Sequence, residues 1–334
     1  TVDCAPAVRV FLEKSGALGV TTTAGKGVIP ASHPQSLGSA LLTKPMQDYL
    51  ASADVVIAAG TELAETDSWV DRLNVPGKII RIDLDAFTLT RDYPPAVGIL
   101  ADAGEALTAL TGLIKSGRKP DLAGAAAIRD AIRANLTPLE RKHVKVLGAL
   151  RDALPKDGIV VTDMTQIAYT ANYNFPCDEP RCYFHPCGFG TLGYAMPAAI
   201  GAKIACPDDD VVCLAGDGSL IMNCQELATC VSQDIPVKVF LMNNGYMGMV
   251  RQWQELFWDR RYSSVEMGPS PDWVKLAEAF GATGLRCEDS GELEGTMAKA
   301  LEADGPVLVD VRVSPEENCF PMIPAGAAAR DMVG

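Results

Sequence analysis

No apolar run in this sequence is long enough to cross a bilayer, which needs about 20 residues. The longest candidate, residues 192–206, is broken by Pro197 and Lys203. The start carries no secretory signal pattern, and there is no solenoid-period repeat and no low-complexity tract. Positive charge is short: 29 Lys and Arg against 42 Asp and Glu leave a net charge of −13. That balance argues against nucleic acid or an anionic membrane as partner. Histidine is scarce at three residues, and the ten cysteines include no CxxC pair. Cys177, Cys182 and Cys187 are evenly spaced, with only His185 at a ligand-like offset. The cysteines therefore read as reduced structural thiols, which implies a cytoplasmic setting.

What remains is ordinary for an α/β protein: 334 residues, 48% hydrophobic and 6% aromatic. The length suits two domains. A chain that opens at Thr1 and not at Met is expected to be a fragment or a processed piece. The expected fold class is α/β, with two Rossmann-like domains whose mainly parallel sheets are flanked by helices. The first, residues 1–117, begins at a helix around residues 8–12, so its first strand is expected upstream. Gly19–Thr23 is β-branched and strand-like, Lys44–Ala53 is helical, and Asp54–Ala59 and Lys78–Asp85 are strands. Ala103–Lys115 is an apolar-periodic helix. Residues 118–138 read as a linker with a short helix. The second domain, residues 139–334, alternates again. Its expected strands are 159–163, 182–185, 211–215, 237–242, 283–287 and 307–313. Its expected helices are 166–173, 192–205, 223–232, 248–257, 273–280 and 292–303, and an arm follows Pro315.

The most informative stretch is Gly216-Asp217-Gly218-Ser219, with Asn244 27 positions after the aspartate. Each element closes an apolar run of buried-strand type, and a helical segment lies between them. Strand, helix, strand at this spacing reads as a right-handed parallel crossover. If its strands are neighbours, Asp217 and Asn244 stand side by side at their carboxyl ends, where open α/β sheets bind ligands. A carboxylate and an amide oxygen suit Mg²⁺. The glycines admit a diphosphate to the backbone N–H groups. The tripeptide alone would more often be a tight turn; the spaced Asn-Asn changes that balance.

This pairing resembles the thiamine-diphosphate (ThDP) signature of decarboxylases and carboligases. From Gly188 onward the chain is similar to the large catalytic subunit of acetolactate synthase (acetohydroxyacid synthase). The resemblance is carried by Gly190-Thr191-Leu192-Gly193, 197–201, Met222-Asn223, 225–227, Asn243-Asn244, 248–254, 310–313 and 315–324. It implies that Asp217, the Asn244 side chain and the Tyr246 carbonyl bind Mg²⁺. Gly216, Gly218, Ser219 and Gln166 would hold the diphosphate. Leu192 would be the wedge that bends the cofactor, and the Gly190 carbonyl would accept from its 4′-amino group. Met249 and Trp253, four apart on one helix, would line the substrate pocket; without the resemblance Trp253 reads as a core aromatic.

The implied reaction is decarboxylation of pyruvate and condensation of the hydroxyethyl unit with a second 2-oxo acid, in branched-chain amino acid biosynthesis. The implied assembly is a homodimer or homotetramer, with room for a regulatory subunit. The family's activating glutamate comes from an N-terminal pyrimidine-binding domain. The chain alone is therefore expected to be half a site and inactive, with no catalytic residue of its own. Glu62 and Glu65 read as solvated loop charges. Two departures point elsewhere. Ile167 stands where the family usually has a histidine touching the diphosphate. The Gly60–Asp67 segment lacks the arginine-containing, Asp-rich stretch of FAD-carrying members, which leaves FAD open. These features lean toward ThDP-dependent 2-oxo acid decarboxylases, such as those acting on 5-guanidino-2-oxopentanoate. A non-catalytic ThDP-binding subunit is the third reading.

Overall fold

Short apolar runs closed by glycine, asparagine or an acidic residue become the strands of two parallel sheets. The structure is a computed structural model that describes residues 2–268, 271–324, 326–328 and 331–333. The chain divides into two units. One is Thr1–Thr137 with Pro176–Arg181 and Ala325–Met332; the other is Pro138–Phe175 with Cys182–Pro324 and Val333–Gly334. Among the described residues no helix is long and apolar enough to cross a membrane.

The first unit holds β1 (Val55–Ala59), β2 (Lys78–Asp83) and β3 (Val97–Leu100), paired in parallel in that order. Helices Ala5–Ser15 and Ala103–Leu113 pack on one another and, with Ile57, Ile82 and Ile99, form its core. The second of these helices starts where Asp102 Oδ1 accepts the N–H groups of Gly104 and Glu105, an N-cap that satisfies two donors at once. The expected strand at Gly19–Thr23 is not formed. Gly19 makes one isolated parallel bridge to Ser36. The chain then turns, because Thr22 takes the Gly25 N–H on both its carbonyl and its hydroxyl, a side-chain turn that competes with the ladder. The stretch 116–138 carries the 13-residue helix Leu122–Ala134, packed on helix Lys44–Ser52.

The second unit is built on β4 (Ile159–Thr162), β5 (Tyr183–Phe184), β6 (Val211–Gly216), β7 (Lys238–Asn243), β8 (Thr283–Cys287) and β9 (Val307–Arg312). All pairings are parallel, in the order β5-β4-β6-β7-β9-β8. Every residue of β4, β6 and β7 is buried, as a parallel sheet covered on both faces requires. From β4 the chain moves outward to β5 and then returns to β6 on the other side. The order thus reverses between β4 and β6, and such a switch point opens a crevice at the carboxyl ends of the two strands.

Helices Gly248–Phe257 and Trp273–Phe280 stand where the sequence put them. Others start later. The helix expected from Leu192 begins at Ala195, since Gly193 has φ +80° and cannot belong to it. The one expected from Asn223 begins at Glu226, after a single helical turn at Asp217–Leu220 and a bend. The expected arm after Pro315 is partly core. Gln252 and Cys319 exchange two hydrogen bonds, Nε2 to the Cys319 carbonyl (2.6 Å) and the Cys319 N–H to Oε1 (2.8 Å). Met322 is buried. Residues 325, 329, 330 and 334 of that arm lie outside the described residues.

Candidate active site

The switch-point crevice is lined first by the end of β4. Asp163 is buried, and its carboxylate accepts the N–H groups of Met164 (2.8 Å) and of Ala195 at the start of helix Ala195–Ala205 (2.9 Å). Sequence reasoning passed over Asp163; an acid directly after an apolar strand was the signal. Helix Gln166–Asn174 begins next, and Thr165 gives it no side-chain cap. The Ala168 and Tyr169 N–H groups bond the Thr165 carbonyl; among the described residues those of Gln166 and Ile167 have no acceptor, an end that favours an anion. Gln166 donates from Nε2 to the Glu317 carbonyl. Ile167 is buried.

Across the crevice, β6 ends at Gly216 and the chain turns through Asp217, Gly218 and Ser219, all buried. The Ser219 hydroxyl reaches the Met164 carbonyl at 3.5 Å, so the ends of β4 and β6 are joined. A Cβ on Gly218 would stand 2.9 Å from Met247 Sδ, and one on Gly216 would stand 3.4 Å from the Met164 carbonyl. Gly218 thus lies against the Met247 side chain, while a Cβ on Gly216 would make only an ordinary contact.

The end of β7 completes the group. Asp217 Oδ2 accepts the N–H of Gly245 (2.7 Å), and Oδ1 accepts that of Gly218 (3.0 Å). Asn244 Oδ1 accepts the N–H of Tyr246 (2.9 Å). Residues 245–247 pair antiparallel with 265–267, and the Tyr246 hydroxyl donates to Glu266 Oε1 (2.9 Å). Asp217 is thus hydrogen-bonded to the turn that carries Asn244 and Tyr246. Burial pushes the Asp217 carboxyl up to about 6, against the pull of the Gly245 and Gly218 N–H groups and with help from the charge of Asp310. Among the described residues no cationic side chain pairs with Asp217. Asp310, equally buried, is paired with Arg286 (3.3 Å) and Arg312 (3.2 Å). One buried carboxylate is compensated by arginines; the other has no cationic side-chain partner among the described residues.

The remaining expected residues are more scattered. Gly190 has φ +60° and lies over Met164, whose Cε would be 2.8 Å from a Cβ there. Leu192 is half-buried, and Phe189 is fully exposed. Met249 and Trp253 share helix Gly248–Phe257. Trp253 donates from Nε1 to Met322 Sδ (3.0 Å) and stands edge-on to Phe257. At the end of β5, His185 Nδ1 is 2.9 Å from Thr162 Oγ1, and burial holds this imidazole down at about 4.

Residues 163–311 match the model of the thiamine pyrophosphate enzyme C-terminal TPP-binding domain, and residues 1–110 match that of the central domain. The chain belongs to the thiamine pyrophosphate enzyme family. Among curated relatives it is 38% identical over 310 residues to a probable 2-ketoarginine decarboxylase of Pseudomonas aeruginosa, covering 92% of this chain and 55% of the relative. It is 34% identical over 338 residues to the acetolactate synthase large subunit of Parasynechococcus marenigrum, covering 98% and 54%. It is 32% identical over 341 residues to the isozyme 2 large subunit of acetolactate synthase from Escherichia coli, covering 98% and 60%. The chain thus spans just over half the length of these relatives.

In this member of the thiamine pyrophosphate enzyme family, the donor set at the switch point is compatible with a diphosphate: an uncapped helix start, glycines in the turn after β6 and a buried carboxylate without a cationic side-chain partner among the described residues. Among the described residues there is no cluster of three or more His, Cys, Asp or Glu able to hold a metal. A cation here would be held by the mixed set of carboxylate, carboxamide and carbonyl oxygens around Asp217, the donors a hard ion prefers. In the other unit, Arg81 is buried and donates to the carbonyls of Thr61 and Arg91 (2.9 Å each). A guanidinium therefore underlies the Gly60–Asp67 segment, where sequence showed none.

Proposed function

We propose that this chain forms the diphosphate- and magnesium-binding part of an acetolactate synthase, which decarboxylates pyruvate and joins the two-carbon unit to a second 2-oxo acid. The observation that carries the reading is the Gly245 N–H on Asp217 Oδ2. It joins the carboxylate after β6 to the backbone of the turn after β7 that carries Asn244. Asp217, the Asn244 side chain and the Tyr246 carbonyl would hold Mg²⁺. Gly216, Gly218, Ser219 and Gln166 would hold the diphosphate. Bound ThDP would supply the electron sink for loss of CO₂ from a 2-oxo acid.

Around it, Leu192 would press the cofactor into its bent form, and the Gly190 carbonyl would hold the 4′-amino proton. Met249 and Trp253 would shape the space for the second acid. The family's pyrimidine-binding domain would bring the activating glutamate, in a homodimer or homotetramer. A second reading, release of an aldehyde by a simple 2-oxo acid decarboxylase, is favoured by Ile167, buried where the family's histidine would stand, and by the 38% relative.

Product analysis of the full-length protein with pyruvate, ThDP and Mg²⁺ separates them. Acetolactate supports the carboligase. Acetaldehyde with CO₂, or turnover of 5-guanidino-2-oxopentanoate alone, supports the decarboxylase. Cofactor binding without turnover of either acid would mean a binding subunit. Flavin absorbance of the purified protein reads FAD independently.

A further inference from the structure

Asp310 has no exposed surface and draws partners from three strands. Its Oδ1 accepts from Asn243 Nδ2 on β7 (2.8 Å). Its Oδ2 faces Arg286 Nε on β8 (3.3 Å) and an Arg312 guanidinium nitrogen on β9 (3.2 Å). Arg286 in turn reaches Asp272 (2.6 Å), the residue capping helix Trp273–Phe280. Arg286, shared with Asp272, and Arg312 supply the positive charge at Oδ2, whereas Asn243 Nδ2 is the donor at Oδ1.

Asn243 is buried, and while its Nδ2 serves Asp310, its Oδ1 has no hydrogen-bond partner among the described residues. An orphaned buried acceptor is destabilising, so the amide is kept at a cost for the contact it makes with Asp310. Turning the amide over would set oxygen against the Asp310 oxygen, so the carboxylate fixes its orientation. The backbone is held as well: the Asn243 carbonyl accepts the N–H of Val313 (3.1 Å). The next two residues are Asn244, whose Oδ1 accepts the N–H of Tyr246, and Gly245, whose N–H is taken by Asp217 Oδ2.

We propose that Asp310, acting through the Asn243 side chain, is the positioning residue for the Asn244–Gly245 turn and hence for the geometry of the metal site. This rests on the magnesium–ThDP reading above. The last residue of β7 is locked to a carboxylate fixed by β8 and β9, so the turn starts from a rigid point. A metal ligand supported in this way loses affinity when the support is removed, although the ligand itself stays in place.

The test uses the full chain with Mn²⁺ as probe. Free Mn²⁺ is followed by electron paramagnetic resonance in the presence of ThDP, and the melting temperature is taken without ligands. Asn243→Leu preserves volume and leaves Asp310 Oδ2 with its two arginines, but takes the donor from Oδ1, so the ligand-free melting temperature should fall. Mn²⁺ binding, measured well below that temperature, is expected to weaken by about 10- to 100-fold. Asp310→Ala should give a similar loss, and the double variant no more than the larger single loss, since one chain of contacts is removed twice. Where Asp310→Ala does not fold, Asn243→Leu alone decides. Wild-type affinity in Asn243→Leu, with binding lost in Asn244→Ala, would overturn the inference and leave the metal reading standing. Losses that add in the double variant would also overturn it. A wild-type protein that binds neither Mn²⁺ nor ThDP would remove the reading and this inference together.

Discussion

Asn244 Nδ2 lies 2.9 Å from the point where a Cβ on Gly248 would stand. The carboxamide thus packs on the bare Cα that opens helix Gly248–Phe257. Gly248 has no positive φ that would require glycine, and alanine is the better helix former by up to about 1 kcal/mol. Gly248→Ala should therefore leave the ligand-free melting temperature the same or slightly higher. The added methyl must displace the Asn244 amide, so Mg²⁺-dependent ThDP binding should weaken by about tenfold, the low end for a disturbed ligand support. Calorimetric titration beside a thermal scan reads both. Unchanged affinity would mean that Asn244 is not a ligand.

Asp217→Asn keeps an acceptor for the Gly245 N–H, removes the charge and loses the acceptor for the Gly218 N–H. A buried carboxylate without a cationic partner is unfavourable in the ligand-free protein, which offsets the lost contact, so this variant should melt close to wild type at pH 7. It should bind ThDP weakly and with the same affinity with or without EDTA, because the charge that draws the hard ion is gone. Mg²⁺-dependent tightening that survives in the variant would place the metal elsewhere.

The pairing behind these expectations was legible in the sequence because it is topological. Two apolar runs, each closed by glycine or asparagine with a helix between, become adjacent parallel strands, and their ends must meet. Val211–Gly216, Lys238–Asn243 and Val307–Arg312 were readable for the same reason: strands buried on both faces are nearly continuous in apolar residues. β3 was missed because only one of its four residues is even partly buried. The place of Pro176–Arg181 in the first unit had no local sign either. Gly27, at φ +81°, lets its backbone pass where a Cβ would be 2.0 Å from the Glu179 carbonyl. The Asp310–Asn243–Arg286 group joins residues on three strands, and no spacing in the chain announces it. Asp163 did carry a local signal, an acid at a strand end, but its partner Ala195 lies on a distant helix.

Trp253 is tied to Met322 through its indole N–H and braced by Phe257. If it shapes the second-acid pocket, Trp253→Leu should change the ratio of acetolactate to acetohydroxybutyrate formed from pyruvate and 2-oxobutyrate together. Met322→Leu preserves volume but removes the sulfur acceptor. It should cost about 1 kcal/mol of stability and move the ratio in the same direction, because the ring loses its anchor. A ratio unchanged in both variants would return Trp253 to a core role.

His143 and His185 are both held down at about 4 by burial, each with Nδ1 2.9 Å from a threonine hydroxyl, Thr170 and Thr162. An unfolded histidine takes up its proton near pH 6.5, where the folded imidazoles still refuse it. Between pH 6.5 and about 4 the unfolded chain therefore binds more protons, and stability falls as pH falls through that window. The depressions in the two rings correspond to at most roughly 3 kcal/mol each. Urea unfolding at pH 7, 5.5 and 4.5 should show the decline in the wild type, and a shallower one in His185→Gln and His143→Gln. Imidazole C–H resonances of the folded protein that titrate near pH 6.5 would end this account, since the folded rings would then accept protons as readily as the unfolded ones.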